Sequence, residues 1–265
     1  MVRFLLTCDD GWNAPGLLAS KKAVEDLGEV HIYATEEQHT GSGSKGTFFK
    51  PVKFYQKKML DNHPVISIEG TPVDAVAFGI SELKNKKIDL VISGINIGEN
   101  ISTPSFFMSG TCSAAFFAAS RGIPSIAVSL KHEKEEEKYN DFKNHDGFEN
   151  TFDFSVKALK KIVEFILKNG LNTKGYWNIN IPSHKTSKIM FVKSSTKPYY
   201  KDNVDKNSDT FVLSGLPVSH DKFLEDTDAG ALKDSITITP IDLDFTDHSS
   251  LKRMKKLENE LKLEV

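Results

Sequence analysis

Residues 2–35 carry two short apolar runs separated by one amphipathic stretch, and that order restricts the chain more than any other feature. "VRFLLT" reads as a buried strand. "NAPGLLASKKAVEDLG" follows with Leu17, Leu18, Ala23, Val24 and Leu27 at helical spacing. Asn13 stands as the expected cap, Pro15 falls in the first turn and Gly28 is the stop. "EVHIYAT" is a second strand. A β–α–β unit with so short a crossover opens a parallel sheet, and a parallel sheet needs helices on both faces. The pattern continues with a helix from "TPVDAVAFGISELKNK", where Thr71 caps and Pro72 and Asp74 sit in the first turn. Strands follow at "KIDLVISGIN", "IPSIAVSL" and "YWNINIP". "SGTCSAAFFAASRG" and "SVKALKKIVEFILKNG" are the helices between them, the second ending at Gly170.

The alternation weakens after Pro182. "KIMFVKSS" and "DTFVLSG" read as strands of a hairpin or arm, "DSITITPIDLDF" as a late strand, and "SLKRMKKLENELKLEV" as a terminal helix with Leu251, Met254, Leu257 and Leu261 on one face. "KHEKEEEKYNDFKNHDGFEN" reads as a solvated loop. The expected fold is α/β: a Rossmann-like, mostly parallel sheet flanked by helices, with a C-terminal β-rich arm and a terminal helix. The core and its site are expected over residues 1–183, and an oligomerisation extension over 184–265.

A net charge of -2, with lysines spread along the chain, offers no basic surface for a nucleic-acid polymer. No run approaches the roughly 20 apolar residues of a membrane span, and the short apolar start is not a signal peptide. Two cysteines, Cys8 and Cys112, are too few for a disulfide scaffold. A soluble cytoplasmic protein with free thiols is expected.

Chemistry concentrates where strands end, which is where open α/β sheets bind ligands. The first strand ends in Asp9, Asp10 and Gly11. The second runs into Thr40, Gly41, Ser42, Gly43 and Ser44. "DLVISGIN" ends in Ser93, Gly94 and Asn96. Parallel strands bring these ends to one edge, so two carboxylates, a hydroxyl and an amide oxygen converge. That all-oxygen set suits Mg²⁺, Mn²⁺ or Ca²⁺ rather than zinc. A divalent cation also accounts for two adjacent carboxylates, which otherwise repel. Ser109, Gly110 and Thr111 open a helix, whose free amides and dipole suit an anion; a Ser or Thr cap alone has the same pattern. "GSGSKG" matches G-x-G-x-x-G, but it does not join a strand directly to a helix, and it lacks a P-loop lysine. Kinase and dehydrogenase readings therefore fail. His31 reads as structural and His39 as an exposed loop residue. Tyr199 and Tyr200 read as packing an arm.

Five segments in this order resemble the SurE family of survival-protein nucleotidases: "LLTCDDGWNAPG", "HTGSGSKGT", "EGTPVDAV", "VISGINIGEN" and "MSGTCSAA". "WNINIP" and "SITITP" are similar to later family signatures, so the resemblance runs from about residue 3 to 242. It implies a metal-dependent phosphatase, one Mg²⁺ or Mn²⁺ ion, and nucleoside 5'- or 3'-monophosphate substrates. It implies metal ligands at Asp9, Asp10, Thr40 and Asn96, catalysis through Asp9, and phosphate contacts at Ser109, Gly110 and Thr111. It further implies an arm-swapped homodimer, often paired into a homotetramer. Cys8 stands where the family has asparagine, and Thr40 where it has serine. Because a thiol is a weak donor, a second reading is a nucleotide-binding sensor with the same metal site and little turnover.

Overall fold

The computed structural model describes residues 1–131 and 151–258. The charged stretch read as a loop lies outside them beyond Lys131, as does Leu261 of the terminal helix.

Eleven strands and seven α-helices alternate along the described chain: β1 (Arg3–Thr7), α1 (Pro15–Val24), β2 (Glu29–Thr35), β3 (Phe54–Lys58), β4 (Pro64–Ile68), α2 (Pro72–Glu82), β5 (Leu90–Ile97), α3 (Thr103–Met108), α4 (Gly110–Ser120), β6 (Ser125–Leu130), α5 (Asp153–Asn169), β7 (Tyr176–Ile181), β8 (Ile189–Phe191), β9 (Tyr200–Asn207), β10 (Thr210–Pro217), α6 (Asp228–Ala231), β11 (Ile236–Ile241) and α7 (His248–Met254). Nine strands form one sheet in the order β3-β4-β2-β1-β5-β6-β7-β11-β8. All neighbours in it are parallel except β3 with β4 and β11 with β7. From β1 the chain first builds outward through β2 and β4. It then returns to place β5 on the other side of β1. The switch point of the sheet therefore lies between β1 and β5, where open α/β sheets form their ligand crevice.

The two faces are covered as a parallel sheet requires. α1 packs with α5 on one side, and α2 with α4 on the other. Phe4 and Leu6 of β1 face the first layer with Leu17, Leu159 and Val163, while Leu5 faces the second with Val76, Ala114 and Ala118. This alternation turns the residues just past β1 to opposite sides of the crevice. α2 begins as its sequence predicts: Thr71 accepts from the Asp74 amide, and Asp74 reaches back to the Thr71 amide in a reciprocal cap. Pro72 supplies the helical φ of its first position.

Backbone approach between β5 and β6, next to the switch point, depends on glycine. Gly94 interrupts the β5–β6 register between Ser93 and Asn96 and has φ +120°. A Cβ there would stand 2.1 Å from the Val128 carbonyl oxygen. Gly94→Ala is expected to cost about 3 kcal/mol or more through strain and overpacking. Thermal melting should show a Tm lower by roughly 6–12 °C; an unchanged Tm would refute this account of the residue.

Two local expectations are corrected and two elements are added. α1 is capped by Ala14 without a side-chain bond, so Asn13 is not its cap. α3 is an additional short helix whose amide at Thr103 is held by the distant Ser195 carbonyl, 2.8 Å away. β8 is no hairpin partner of β10; it pairs in parallel with β11. The partner of β10 is β9, a lysine-, aspartate- and asparagine-rich strand. Both β9 and β10 are largely exposed, so nothing imposes apolar alternation on β9. Beyond residue 183, β8 and β11 thus join the main sheet while β9 and β10 form a separate two-stranded ribbon. Tyr199 and Tyr200 do pack the base of that ribbon, edge to face at 4.9 Å. Cys8 and Cys112 are both buried and free.

Candidate functional site

Asp9 and Asp10 follow β1 directly and are 5% and 9% exposed. Asp9 lies toward α4, whose Thr111 hydroxyl donates to Asp9 Oδ1 at 2.6 Å. Asp10 lies toward β5, whose Ile97 amide donates to Asp10 Oδ2 at 3.2 Å. The Cys8 thiol also points at Asp10 Oδ2, at 3.8 Å. Ligand atoms of Cys8, Asp9 and Asp10 all fall within 4.8 Å of one another. Among the described residues, no lysine or arginine forms an ion pair with either aspartate.

Two close carboxylates without a cation cannot both ionise cheaply. Burial, followed by the charge of Asp9, pushes Asp10 up to about 8. Burial also raises Asp9, opposed by the Thr111 hydrogen bond. Burial and the two carboxylates raise the Cys8 thiol well above its ordinary value, so it remains a neutral, weak donor.

The other expected residues lie on the elements next to this pair. Asn96 lies in β5 one residue before the Ile97 amide that holds Asp10. Its Nδ2 donates to the Gly98 carbonyl at 2.6 Å, which leaves the amide oxygen as the group available to a cation. Thr40 is exposed in the turn after β2. Its neighbour in the chain is tied to the crevice: the His39 amide donates to the Asp9 carbonyl at 2.7 Å. The same turn is tied to α3 by Gly43 N–H to Met108 O, 2.9 Å.

Ser109 is the N-cap of α4, with its Oγ accepting the Cys112 amide at 3.1 Å. Its hydroxyl proton remains to be donated. Gly110 has no room for a side chain. A Cβ there would stand 2.8 Å from Asp9 Oδ2 and 2.9 Å from Ser42 Oγ. The N-terminus of α4 therefore abuts the carboxylates, and Thr111 spends its hydroxyl on Asp9.

Two contributors lie outside the expected set of site residues. Ser42 Oγ is buried beside Gly110 and Asp9 with no hydrogen-bond partner; its place in the polar loop was visible, its burial was not. The Ile97 amide carries no side-chain signal at all. The arrangement offers oxygen donors, a helix N-terminus and a carboxylate oriented by a hydroxyl, which together suit an anionic, cation-assisted substrate.

Comparison with known proteins agrees with this architecture. The family model described as "Survival protein SurE" matches residues 4–202. The 5'-nucleotidase SurE of Methanobrevibacter smithii is 36% identical over 258 residues, covering 94% of this chain and 98% of that protein. The 5'-nucleotidase SurE of Methanothermobacter thermautotrophicus is 39% identical over 211 residues, 78% of each. The crystal structure of the SurE protein from Aquifex aeolicus superposes with a TM-score of 0.78 at 32% identity, covering 97% of this chain and 99% of that one. With its switch-point aspartates and its α4 N-terminus in the matched region, this chain belongs to the SurE family.

Proposed function

We propose that this chain is a metal-dependent phosphomonoesterase that hydrolyses nucleoside 5'-monophosphates, and 3'-monophosphates as a further substrate class, to nucleoside and phosphate. The observation that carries the reading is the buried Asp9–Asp10 pair set against the N-terminus of α4 at the switch point. The relatives named 5'-nucleotidase supply the reaction class.

The donor set fits one divalent cation, Mg²⁺ or Mn²⁺. Two buried carboxylates lack a protein counter-charge among the described residues, and the remaining donors are oxygens. Asp9, Asp10, Asn96 and Thr40 would hold it. The ion would supply Lewis acidity, neutralising the phosphoryl oxygens. The chain's own groups do the rest. The Gly110 amide and the Ser109 hydroxyl face the anion as donors at the positive end of α4, while Thr111 turns its hydroxyl and its amide to the Asp9 carboxylate. Thr111 Oγ1 holds the Asp9 carboxylate in one orientation. Asp9 is then placed to accept a proton from an attacking water, or to attack phosphorus itself as a carboxylate nucleophile, breaking the P–O bond to the nucleoside and leaving an acyl phosphate that water hydrolyses to phosphate and the free carboxylate.

Self-association through residues 184–265 is part of the proposal, as a homodimer or homotetramer in the cytoplasm. Its support is apolar exposure: Phe211, Val212, Leu213 and Leu216 on β10, and Leu251, Met254 and Leu257 at α7 and just beyond it.

The test is phosphate release from a panel of nucleoside 5'- and 3'-monophosphates, first with chelator and then with Mg²⁺ or Mn²⁺. Metal-dependent release supports the enzyme. Tight nucleotide binding without release would replace it by the sensor reading that Cys8 raises.

A further inference from the structure

Glu99 lies just past the end of β5, three residues after Asn96, and is only 5% exposed. Its Oε1 accepts the Tyr200 hydroxyl at 2.9 Å, while its Oε2 is buried without a hydrogen-bond partner. A buried carboxylate oxygen left unpaired is costly. Relaxation of the backbone is no remedy, because both neighbours are pinned. The Gly98 amide donates to Leu130 O at 2.8 Å. The Asn100 amide donates to Asn180 Oδ1 at 2.8 Å, and the Asn100 carbonyl accepts from Asn178 and Asn180.

The surroundings are polar and organised. His220 Nδ1 lies 2.5 Å from the Ala229 carbonyl, so it must carry the proton there. His220 Nε2 is then an acceptor, for Lys131 Nζ at 2.6 Å and for the Tyr199 hydroxyl at 3.2 Å. The Tyr199 ring stacks on the imidazole at 5.1 Å. Lys131 follows β6, the strand next to β5, so these groups gather at the same carboxyl edge as Asn96. Adjacent strands are about 4.8 Å apart. The cluster therefore stands at the carboxyl edge one strand beyond β5, on the side away from β1, next to the switch-point crevice.

Resting on the phosphomonoesterase reading above, we propose that Glu99 Oε2 accepts a hydroxyl of the substrate's sugar. Glu99 is then a specificity-determining residue that separates nucleotides from phosphate esters lacking a sugar diol. A hydroxyl supplies the one hydrogen the carboxylate lacks, and a site built around such a bond discriminates strongly against analogues without it.

The experiment compares kcat/KM of the full chain, with Mn²⁺, on a nucleoside 5'-monophosphate, its 2',3'-dideoxy analogue and phenyl phosphate. Wild type is expected to favour the ribonucleotide over the dideoxy analogue by roughly ten- to hundredfold, the scale of one hydrogen bond to a charged acceptor. Glu99→Gln should lower the ribonucleotide value by about tenfold more than the other two, so the preference collapses. Tyr200→Phe removes the Oε1 partner but leaves Oε2, and should retain most of the preference. The proposal is overturned if Glu99→Gln lowers all three substrates equally, if it preserves the preference, or if Tyr200→Phe reproduces its effect. Equal wild-type turnover of all three esters would overturn this inference alone. No metal-dependent release from any of them would overturn the phosphomonoesterase reading with it.

Discussion

Replacing Asp9 by asparagine is expected to cut metal-dependent phosphate release roughly a thousandfold, the scale of losing a general base or a key charge in the transition state. The substitution keeps the shape of the side chain. Thr111 Oγ1 can still donate to the amide oxygen in place of Asp9 Oδ1, so the orientation of residue 9 and the start of α4 should persist. What disappears is the negative charge, and with it the capacity to accept a proton and much of the pull on a cation. The fold should not suffer. In the metal-free chain the charge of Asp9 works against Asp10, so removing it relieves repulsion. The expected result is therefore a nearly inactive protein whose Tm, measured with chelator, equals or exceeds that of wild type. Initial rates of phosphate release and paired melting curves decide it. Activity within tenfold of wild type would remove Asp9 from the mechanism.

The parts legible in the sequence were those decided locally. The β1–α1–β2 opening shows in apolar spacing because both sheet faces are buried there. The α2 start shows in Thr71, Pro72 and Asp74, since all partners of a capping box lie within four residues. What stayed hidden was decided at long range. α3 is only six residues long, and the backbone at its start is anchored by groups far along the chain: Asp228 accepts the Ser102 amide, and Ser195 the Thr103 amide. β9 forms because β10 lies beside it, and both of its faces are free to be polar. The site divides in the same way. Asp9, Asp10 and the Ser109–Thr111 turn announce themselves by residue type at strand and helix ends. That Thr111 serves Asp9 depends on a contact 102 positions apart in the chain. That Ser42 and Glu99 each keep a buried oxygen unpaired depends on packing, which no local pattern encodes.

Affinity for the divalent cation is expected to rise about tenfold per pH unit between roughly pH 6 and 8, and to level off above that range. The reason lies in the carboxylate pair. Burial, with the charge of Asp9 added, lifts Asp10 from its ordinary 3.8 to about 8. Below that pH the metal-free pair shares one proton, which belongs to the pair as a unit. A bound cation needs both carboxylates ionised, so each binding event expels that proton. One proton per cation gives one factor of ten per unit. Above about 8 nothing remains to be expelled. The same shift acts on stability with a defined sign. The folded value lies above the unfolded one, so the native chain binds more protons between about pH 4 and 8. The contribution is complete below pH 4 and is lost as pH rises toward 8. The chelated wild type should therefore lose Tm over that window relative to Asp10→Asn, which has no proton to lose there. Calorimetric titration with Mn²⁺ in buffers of different ionisation enthalpy counts the protons directly: near one released at pH 6.5, and near none at pH 9. A pH-independent affinity, or an Asp10→Asn variant with the same Tm difference from wild type at pH 5 and pH 8, would mean that the two carboxylates do not share a proton and that something other than a cation balances them.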